Sequence, residues 1–129
     1  MIESLRKVLE NAYAPYSNYK VSCAVIMKDN KKFFGVNVEN ASYGATICAE
    51  RNVISTAITY GYKKEDFLEI HIMNSTNKIA MPCMLCRQVF VELFDPNVDL
   101  FVYNIKGEFR QFKVKDLCPL PFGGDDLNE

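Results

Sequence analysis

The stretch "FLEIHIMNS", residues 67–75, is a nearly continuous apolar run in the middle of a 129-residue chain. A short apolar run of this kind predicts a buried strand. Helical patterns lie on both sides of it, at residues 48–61 and 83–94. Helices that each connect one strand to the next favour parallel strands with the helices packed on the sheet. The stretch therefore predicts a strand inside an α/β sheet.

The two helical patterns have recognisable ends. In the first, five apolar residues share a face and Gly61 is a natural stop; they are Ala49, Val53, Ile54, Ala57 and Ile58. In the second, Pro82 fits the first helical turn, where a missing N–H is tolerated, and Asp95-Pro96 ends the helix. Both helices therefore begin at a cysteine, at the edge of the sheet where ligands usually bind.

Further elements extend towards the two ends of the chain. Residues 2–13 predict an amphipathic helix, and "KVSCAVIMK" and "KFFGVNVEN" predict an antiparallel hairpin. After the second central helix, "VDLFVYN" and "EFRQFKV" predict another hairpin, followed by an irregular tail from Asp116. The order α, β, β, α, β, α, β, β predicts a three-layer α/β/α sandwich with a mixed five-stranded sheet, in a single domain over residues 1–129.

Composition narrows the functional classes. Apolar residues are 49% and charged residues 24%, as in an ordinary globular protein. A net charge of −1 weighs against a nucleic-acid partner. No apolar run approaches the roughly 20 residues that span a bilayer, so we expect no membrane partner. We find no pattern typical of a secretory signal and expect a cytoplasmic protein.

Five cysteines, an odd number, make a disulfide framework unexpected and leave free thiols, metal ligands or a redox pair. Cys83 and Cys86 alone fit a redox pair, half of a zinc knuckle or two buried side chains. With Cys48 they form three soft ligands, the layout of a catalytic Zn²⁺ that keeps a fourth position open. A closed structural zinc needs a fourth ligand, for which the candidates are Cys23, Cys118 and His71. Cys23 is more typical of a core residue, Cys118 of a residue packed in the tail, and His71 of an ordinary sheet residue.

Glu50 and Arg51 follow the first of these cysteines. Two helix N-termini aimed at one point lower thiol pKa values, and three thiolates give a zinc site a surplus negative charge. Arg51, one helical turn from Cys48, is placed to donate to the sulfurs and offset that charge. Glu50 is placed to move protons between a zinc-activated water and a substrate.

Four stretches between Tyr13 and Leu127 occur in a recognisable order: "YAPYSNYKVSCAV", "GVNVENASYGATICAER", "PCMLCRQ" and "PFGGDDL". Within them, "CAE" and "PCMLC" match the zinc deaminase signature. Together the four stretches resemble the small homotetrameric cytidine deaminases. The resemblance implies a cytidine deaminase-like fold and zinc-dependent hydrolysis of cytidine and deoxycytidine to the uridines, with ammonia released. It implies Cys48, Cys83 and Cys86 as zinc ligands and Glu50 as the proton shuttle.

The resemblance also implies the nucleoside contacts. Asn37 and Glu39 match residues that hydrogen-bond the ribose 3′-hydroxyl. Their spacing fits, because alternate strand residues share a face. Tyr19 stands at an aromatic position, usually Phe, that flanks the pyrimidine, and Ala49 is counted among the substrate-binding positions.

Two further matches imply active sites shared between subunits of a homotetramer. Phe122 matches a tail aromatic that reaches a neighbouring subunit's site, and Tyr43 matches a loop residue at the same boundary. Met84 departs from the family pattern, which usually has glycine there.

Three rival interpretations stay open on the sequence. A deaminase of aminonucleoside antibiotics shares the fold, but "NVEN" at residues 37–40 favours a free nucleoside. Deaminases of bases in RNA or DNA usually carry His in place of Cys48. A closed structural zinc in an interaction domain leaves Glu50 and Arg51 without a role.

Overall fold

The structure, a computed structural model, describes residues 1–128; Glu129, the last residue of the predicted domain, lies outside the described residues. The elements are α1 Ile2–Leu9, β1 Val21–Met27, β2 Lys32–Val36, α2 Ala49–Thr59, β3 Phe67–Asn74, α3 Met84–Leu93, β4 Asp99–Tyr103, β5 Phe109–Lys113 and α4 Val114–Leu117. Short 3₁₀ turns cover Tyr43–Ala45, Lys64–Asp66 and Gly124–Leu127.

The five strands form one mixed sheet in the order β2-β1-β3-β4-β5, which confirms the predicted sheet. β3 and β4 are parallel, and the other neighbouring pairs are antiparallel. The apolar run at residues 67–75 forms the central strand, β3. α3 is the crossover of the parallel pair, whereas α2 connects β2 to β3 across β1.

Alternate residues of the strands pack against helices on opposite faces of the sheet, as the pleat requires. On one face Cys23 and Val25 of β1 join residues of α2 and α3 in the larger core. On the other face Ala24 packs with Leu5 and Leu9 of α1. The two cores join three layers, as predicted. α1 lies on one face of the sheet, and α2 and α3 lie side by side on the other face.

Two predicted elements are shorter than their sequence patterns, for a shared reason. α1 ends at Leu9 rather than at residue 13, because Tyr13 N–H donates to the Asn37 carbonyl and the Tyr13 carbonyl accepts from Glu39 N–H. β2 ends at Val36, and Val38 instead forms isolated bridges to Tyr13 and Ile47. Long-range pairing of these segments overrides the local periodicity.

The ends of the two crossover helices differ in how well they were predicted. Gly61 follows α2 with a φ of +94°, a conformation that suits glycine, as expected. Pro82 lies outside α3, because the N-cap is Cys83, whose sulfur accepts from Cys86 N–H. α4 lies at the start of the tail, where Val114 and Leu117 are buried against the larger core.

Gly35 allows α2 to lie close to β2. A Cβ at this position would come within 3.0 Å of both the Ala49 carbonyl oxygen and the Val53 nitrogen. Such contacts are tighter than ordinary packing, so a side chain here would push α2 away from the sheet. Among the helices of residues 1–128, none combines the length and apolar character needed to cross a membrane.

Candidate active site

Three thiols meet where α2 and α3 begin. Cys48 and Cys83 are the N-cap residues of the two helices, and Cys86 lies in the first turn of α3. The Sγ atoms of Cys48 and Cys83 are 3.9 Å apart, those of Cys83 and Cys86 are 3.5 Å apart, and all three lie within 4.8 Å of one another. Tetrahedral zinc with Zn–S bonds of about 2.3 Å holds sulfurs about 3.8 Å apart. The cluster therefore fits a zinc site.

No fourth His, Cys, Asp or Glu of residues 1–128 belongs to this group. Cys23 is buried in the larger core, and Cys118 contacts the Arg87 carbonyl. His71 lies in β3, and its Nδ1 atom is hydrogen-bonded to the Tyr103 hydroxyl at 2.8 Å. Three thiols without a fourth protein ligand match an open site rather than a closed one.

The thiols differ in acidity. The pKa of Cys48 is lowered to about 5, because its sulfur accepts hydrogen bonds from Cys86 and Arg51. The pKa of Cys86 is raised, because its proton is held against the Cys48 sulfur and the side chain is buried. The lowered pKa of Cys48 favours the thiolate, which is the form of cysteine that binds a metal cation.

Arg51 reaches the cluster through its guanidinium group. Its Nη2 atom lies 3.5 Å from Cys48 Sγ and 3.5 Å from the Thr46 carbonyl oxygen. The guanidinium raises the acidity of Cys48 through both hydrogen bonding and charge. A cation donating to a ligand sulfur withdraws part of the negative charge that three thiolates bring to a divalent metal.

Glu50, in the first turn of α2, is 5% exposed. Burial raises its pKa to about 7, a hydrogen bond from its own backbone N–H opposes that rise, and the charge on Cys48 adds to it. A carboxyl group with this pKa can both hold and release a proton near neutral pH, which is what general acid–base catalysis requires.

A cavity of about 280 Å³ opens beside the thiols. This is near the lower end of the roughly 300–1,000 Å³ of small-molecule sites. Its walls bring together most of the residues predicted from the sequence: Tyr19, Asn37, Glu39, Cys48, Ala49, Glu50 and Cys83. Residues separated by more than 60 positions in the chain therefore line one pocket. The raised pKa of Tyr19, caused by burial and then by the charge of Glu50, reflects this shared environment.

Asn37 and Glu39 line the end of the cavity formed by the loop after β2, and their polar atoms are partly engaged. Asn37 Oδ1 accepts from Val21 N–H at 2.9 Å, and Nδ2 donates to the Tyr19 carbonyl at 2.8 Å. Glu39 accepts from the backbone N–H groups of Tyr16 and Ser17. An amide and a carboxylate have further donor and acceptor positions, so both can still bind a hydroxyl.

Tyr43, Phe122 and Met84 lie outside the cavity of this chain. Tyr43 is 79% exposed, and Phe122 lies against the outer surface of α3, where its carbonyl accepts from Gln88 Nε2 at 2.7 Å. Met84 lines a separate groove with Phe122. Its side chain is therefore directed at the tail rather than at the cavity.

Sequence reasoning missed part of the cavity wall. Ser17, Asn74 and the segment 80–82 line it, together with Val21, Thr46 and Ile72. The segment 80–82 follows the carboxyl end of β3, where loops border ligand sites, and that position was the available signal. Ser17 carried none, because its place depends on contacts with Glu39, 22 residues away.

An open three-thiol metal centre with a buried carboxylate, at two helix N-termini of an α/β/α sandwich, defines a zinc-dependent hydrolase of the deaminase class. The family described as "Cytidine and deoxycytidylate deaminase zinc-binding region" matches residues 1–102. The chain belongs to this family.

Individual relatives agree with the family match. The cytidine deaminase of Mycoplasma genitalium is 38% identical over 117 residues, covering 91% of this chain and 88% of that protein. That of Halalkalibacterium halodurans is 36% identical over 129 residues, covering 100% and 96%. The crystal structure of cytidine deaminase from Burkholderia pseudomallei is similar with a TM-score of 0.89 and 42% identity, covering 94% of this chain and 95% of that one.

Proposed function

We propose that this chain catalyses the zinc-dependent hydrolytic deamination of cytidine and deoxycytidine to uridine and deoxyuridine, with release of ammonia, as a step of pyrimidine salvage. The observation that carries the proposal is the three-thiol cluster with buried Glu50 beside it, both lining one cavity. Similarity to curated cytidine deaminases over most of the chain supports the same reaction.

Cys48, Cys83 and Cys86 would hold the zinc. When bound, zinc lowers the pKa of water and so makes a hydroxide nucleophile available near neutral pH. Arg51 assists by donating to Cys48, which limits the electron density that the sulfurs supply. Two of the ligands are N-caps, so the helix starts fix where the sulfurs lie.

Glu50 performs the proton transfers. Its carboxylate takes a proton from the attacking water and delivers it to the ring nitrogen next to the carbon that carries the amine, while the hydroxide left behind bonds to that carbon. The carboxylate then moves the remaining proton of the added hydroxyl group to the amino nitrogen, which leaves as ammonia as the carbon–oxygen double bond forms. Such a positioned shuttle contributes about 100- to 10,000-fold in rate. The burial of Glu50 and its place in the cavity wall support this role.

The cavity walls would orient the nucleoside. Asn37 and Glu39 bind the ribose 3′-hydroxyl, which fits their free acceptor and donor positions. Tyr19 packs on the pyrimidine, and Ala49, which has no bulky side chain, lets the ring approach α2 between Cys48 and Glu50. The mainly apolar wall supports a flat ring as ligand, since small-molecule sites are lined mostly by apolar groups.

We further propose that the described fold is one deaminase domain that assembles as a homotetramer with shared active sites. Leu120 is 100% exposed and Phe122 is 57% exposed. Met84 and Leu127 are also exposed. A patch of this kind is typical of an interface. Phe122 and Tyr43 would then approach a neighbouring subunit's cavity. Five free cysteines suit a reducing compartment, and we place the enzyme in the cytoplasm.

The test is a substrate panel. Purified, zinc-loaded protein is incubated with cytidine, deoxycytidine, free cytosine and blasticidin, and ultraviolet absorbance loss and ammonia are measured. We expect turnover of the two nucleosides and little of cytosine, which lacks the sugar that Asn37 and Glu39 would hold. Turnover of blasticidin alone would assign the antibiotic-deaminase activity instead, and no turnover of either nucleoside would reject the proposal.

A further inference from the structure

Ser17 is connected to two walls of the cavity at once. Its hydroxyl donates to Glu39 Oε2 and accepts from Tyr19 N–H at 3.0 Å. Its backbone N–H donates to Glu39 Oε1 at 3.1 Å. Ser17 also lines the cavity itself. No other hydroxyl among residues 1–128 has hydrogen bonds to both of these residues.

The connection completes a chain of hydrogen bonds from Asn37 to Glu39. The Asn37 side chain donates to the Tyr19 carbonyl, Tyr19 N–H donates to Ser17, and Ser17 donates to Glu39. Backbone pairing of Tyr13 with residues 37 and 39 holds the two segments together. The side chain of Ser17 is therefore the link that sets the rotation of the Glu39 carboxylate relative to Asn37.

The charge on Glu39 gives this link its strength. A carboxylate has no donor of its own, so it must be held by donors around it. Tyr16 N–H and Ser17 N–H fix one oxygen, and the Ser17 hydroxyl fixes the other. With the hydroxyl removed, Oε2 would be free to turn towards solvent.

We propose that Ser17 is a positioning residue for sugar recognition: it orients Glu39 towards the 3′-hydroxyl of the bound nucleoside without contacting the reacting atoms. This inference rests on the proposed function, in which Glu39 binds that hydroxyl. It predicts that loss of the Ser17 hydroxyl weakens binding only of nucleosides that carry a 3′-hydroxyl.

The test compares cytidine with 3′-deoxycytidine on the zinc-loaded enzyme. For Ser17→Ala we expect the KM for cytidine to rise about tenfold, the effect of losing a hydrogen bond to a charged group. The KM for 3′-deoxycytidine should stay nearly the same as in wild type. The kcat for cytidine should change by less than about twofold, because Glu39 contacts the 3′-hydroxyl equally in the ground state and in the transition state. Ser17→Thr keeps the hydroxyl and should restore cytidine binding.

Two further variants sharpen the comparison. Ser55→Ala, on the exposed surface of α2, is the matched control and should leave both KM values unchanged. Ser17→Ala added to Glu39→Gln should raise the KM for cytidine no further than Glu39→Gln alone, because coupled residues are not additive. Both nucleosides are measured on the same sample, so the KM comparison does not depend on the folded fraction.

The outcomes separate this inference from the proposed function. If wild type deaminates cytidine but Ser17→Ala raises both KM values equally, Ser17 is merely structural and the inference is rejected. If wild type binds cytidine and 3′-deoxycytidine equally, Glu39 does not bind the 3′-hydroxyl and the inference also fails. If wild type deaminates neither nucleoside, the proposed function itself is rejected.

Discussion

Glu50 lines the cavity together with Cys48 and Cys83, and its carboxylate is the only buried acid among residues 1–128. Glu50→Gln keeps the size of the side chain and leaves the three sulfurs in place. We expect the variant to retain zinc but to lose about 100- to 10,000-fold in kcat, because an amide cannot shuttle a proton. Zinc content and steady-state kinetics measure the two halves of this prediction.

Glu92→Gln is the matched control, since Glu92 is exposed on α3. It should match wild type in both zinc content and kcat. Near-normal turnover by Glu50→Gln would remove Glu50 from the mechanism. Loss of zinc from Glu50→Gln would instead show that the residue supports the metal site.

At the level of single residues, the sequence predicted the grouping of the three cysteines with Glu50 better than it predicted the cavity walls. Local spacing groups Cys48 with Glu50 and Cys83 with Cys86, and the order of helices and strands brings the two helix starts to one edge of the sheet. Ser17 and the segment 80–82 are placed by contacts with distant parts of the chain. Tyr43 and Phe122 lie outside this chain's cavity, and their predicted role depends on a neighbouring subunit.

At the level of elements, Gly35 controls the distance between β2 and α2. In Gly35→Ala the new Cβ would lie 3.0 Å from the Ala49 oxygen and the Val53 nitrogen. We expect the free energy of unfolding to fall by about 1–3 kcal/mol, the usual cost of overpacking. Zinc affinity should also fall, because the displaced helix begins at Cys48. Chemical denaturation and competitive zinc titration measure these effects.

Gly44→Ala is the control for this change, since a Cβ at Gly44 meets nothing within 4 Å. It should leave the unfolding free energy and the zinc affinity near those of wild type. If Gly35→Ala behaves like Gly44→Ala in both measurements, the sheet does not set the position of α2.

His71 makes the packing of β3 sensitive to pH. Burial lowers the pKa of His71, and the Glu69 carboxylate, whose Oε2 lies 3.4 Å from Nε2, only partly opposes this. In the unfolded chain the imidazole titrates near its ordinary pKa of about 6.5. Between the two pKa values the unfolded state binds more protons, so stability rises with pH and is lost on acidification below about pH 6.5.

His71→Gln removes this titration, and we expect its free energy of unfolding to depend less steeply on pH just below about 6.5. Urea denaturation of both proteins across that range gives the slopes. His71 faces the α1 side of the sheet, away from the thiols, so pH effects on metal binding are common to both proteins. Parallel curves for the two proteins would assign the pH dependence to other groups.

The element order could be read from the sequence, but several boundaries could not. The apolar pattern of β3 is strong because layers on both faces of the sheet bury it, and those of α2 and α3 are strong because each helix buries one face against the sheet. The apolar pattern of α1 continues to Ala12, but the helix itself has already ended, because Tyr13 pairs with residues near Asn37. These pairings decide where α1 and β2 end, and local patterns carry no information about them.

At the scale of the whole molecule, Phe122 tests the shared-site assembly. Phe122→Ala removes a half-exposed aromatic from the tail but leaves the cavity of its own chain intact. We expect a weaker tetramer and a higher KM for cytidine, because large aromatic side chains dominate interface energies. Analytical ultracentrifugation and kinetics over a range of protein concentrations measure the two effects.

Tyr60→Ala is the comparison, since Tyr60 is also exposed but follows α2, outside the patch formed with the tail. It should preserve assembly and KM. A Phe122→Ala protein that is fully active as a monomer would contradict sharing of sites between subunits.

The helices α2 and α3 start at the thiols, and their other ends lie far from them. α2 has 11 residues and is therefore roughly 16 Å long, which places the exposed segment 63–65 well away from the cavity. Extra residues or a reporter peptide inserted there would extend the chain on the remote side, where exposed loops tolerate added length. The same insertion ahead of Cys48 would shift one of the three clustered thiols, so the two ends of one helix differ sharply in how freely they can be re-engineered.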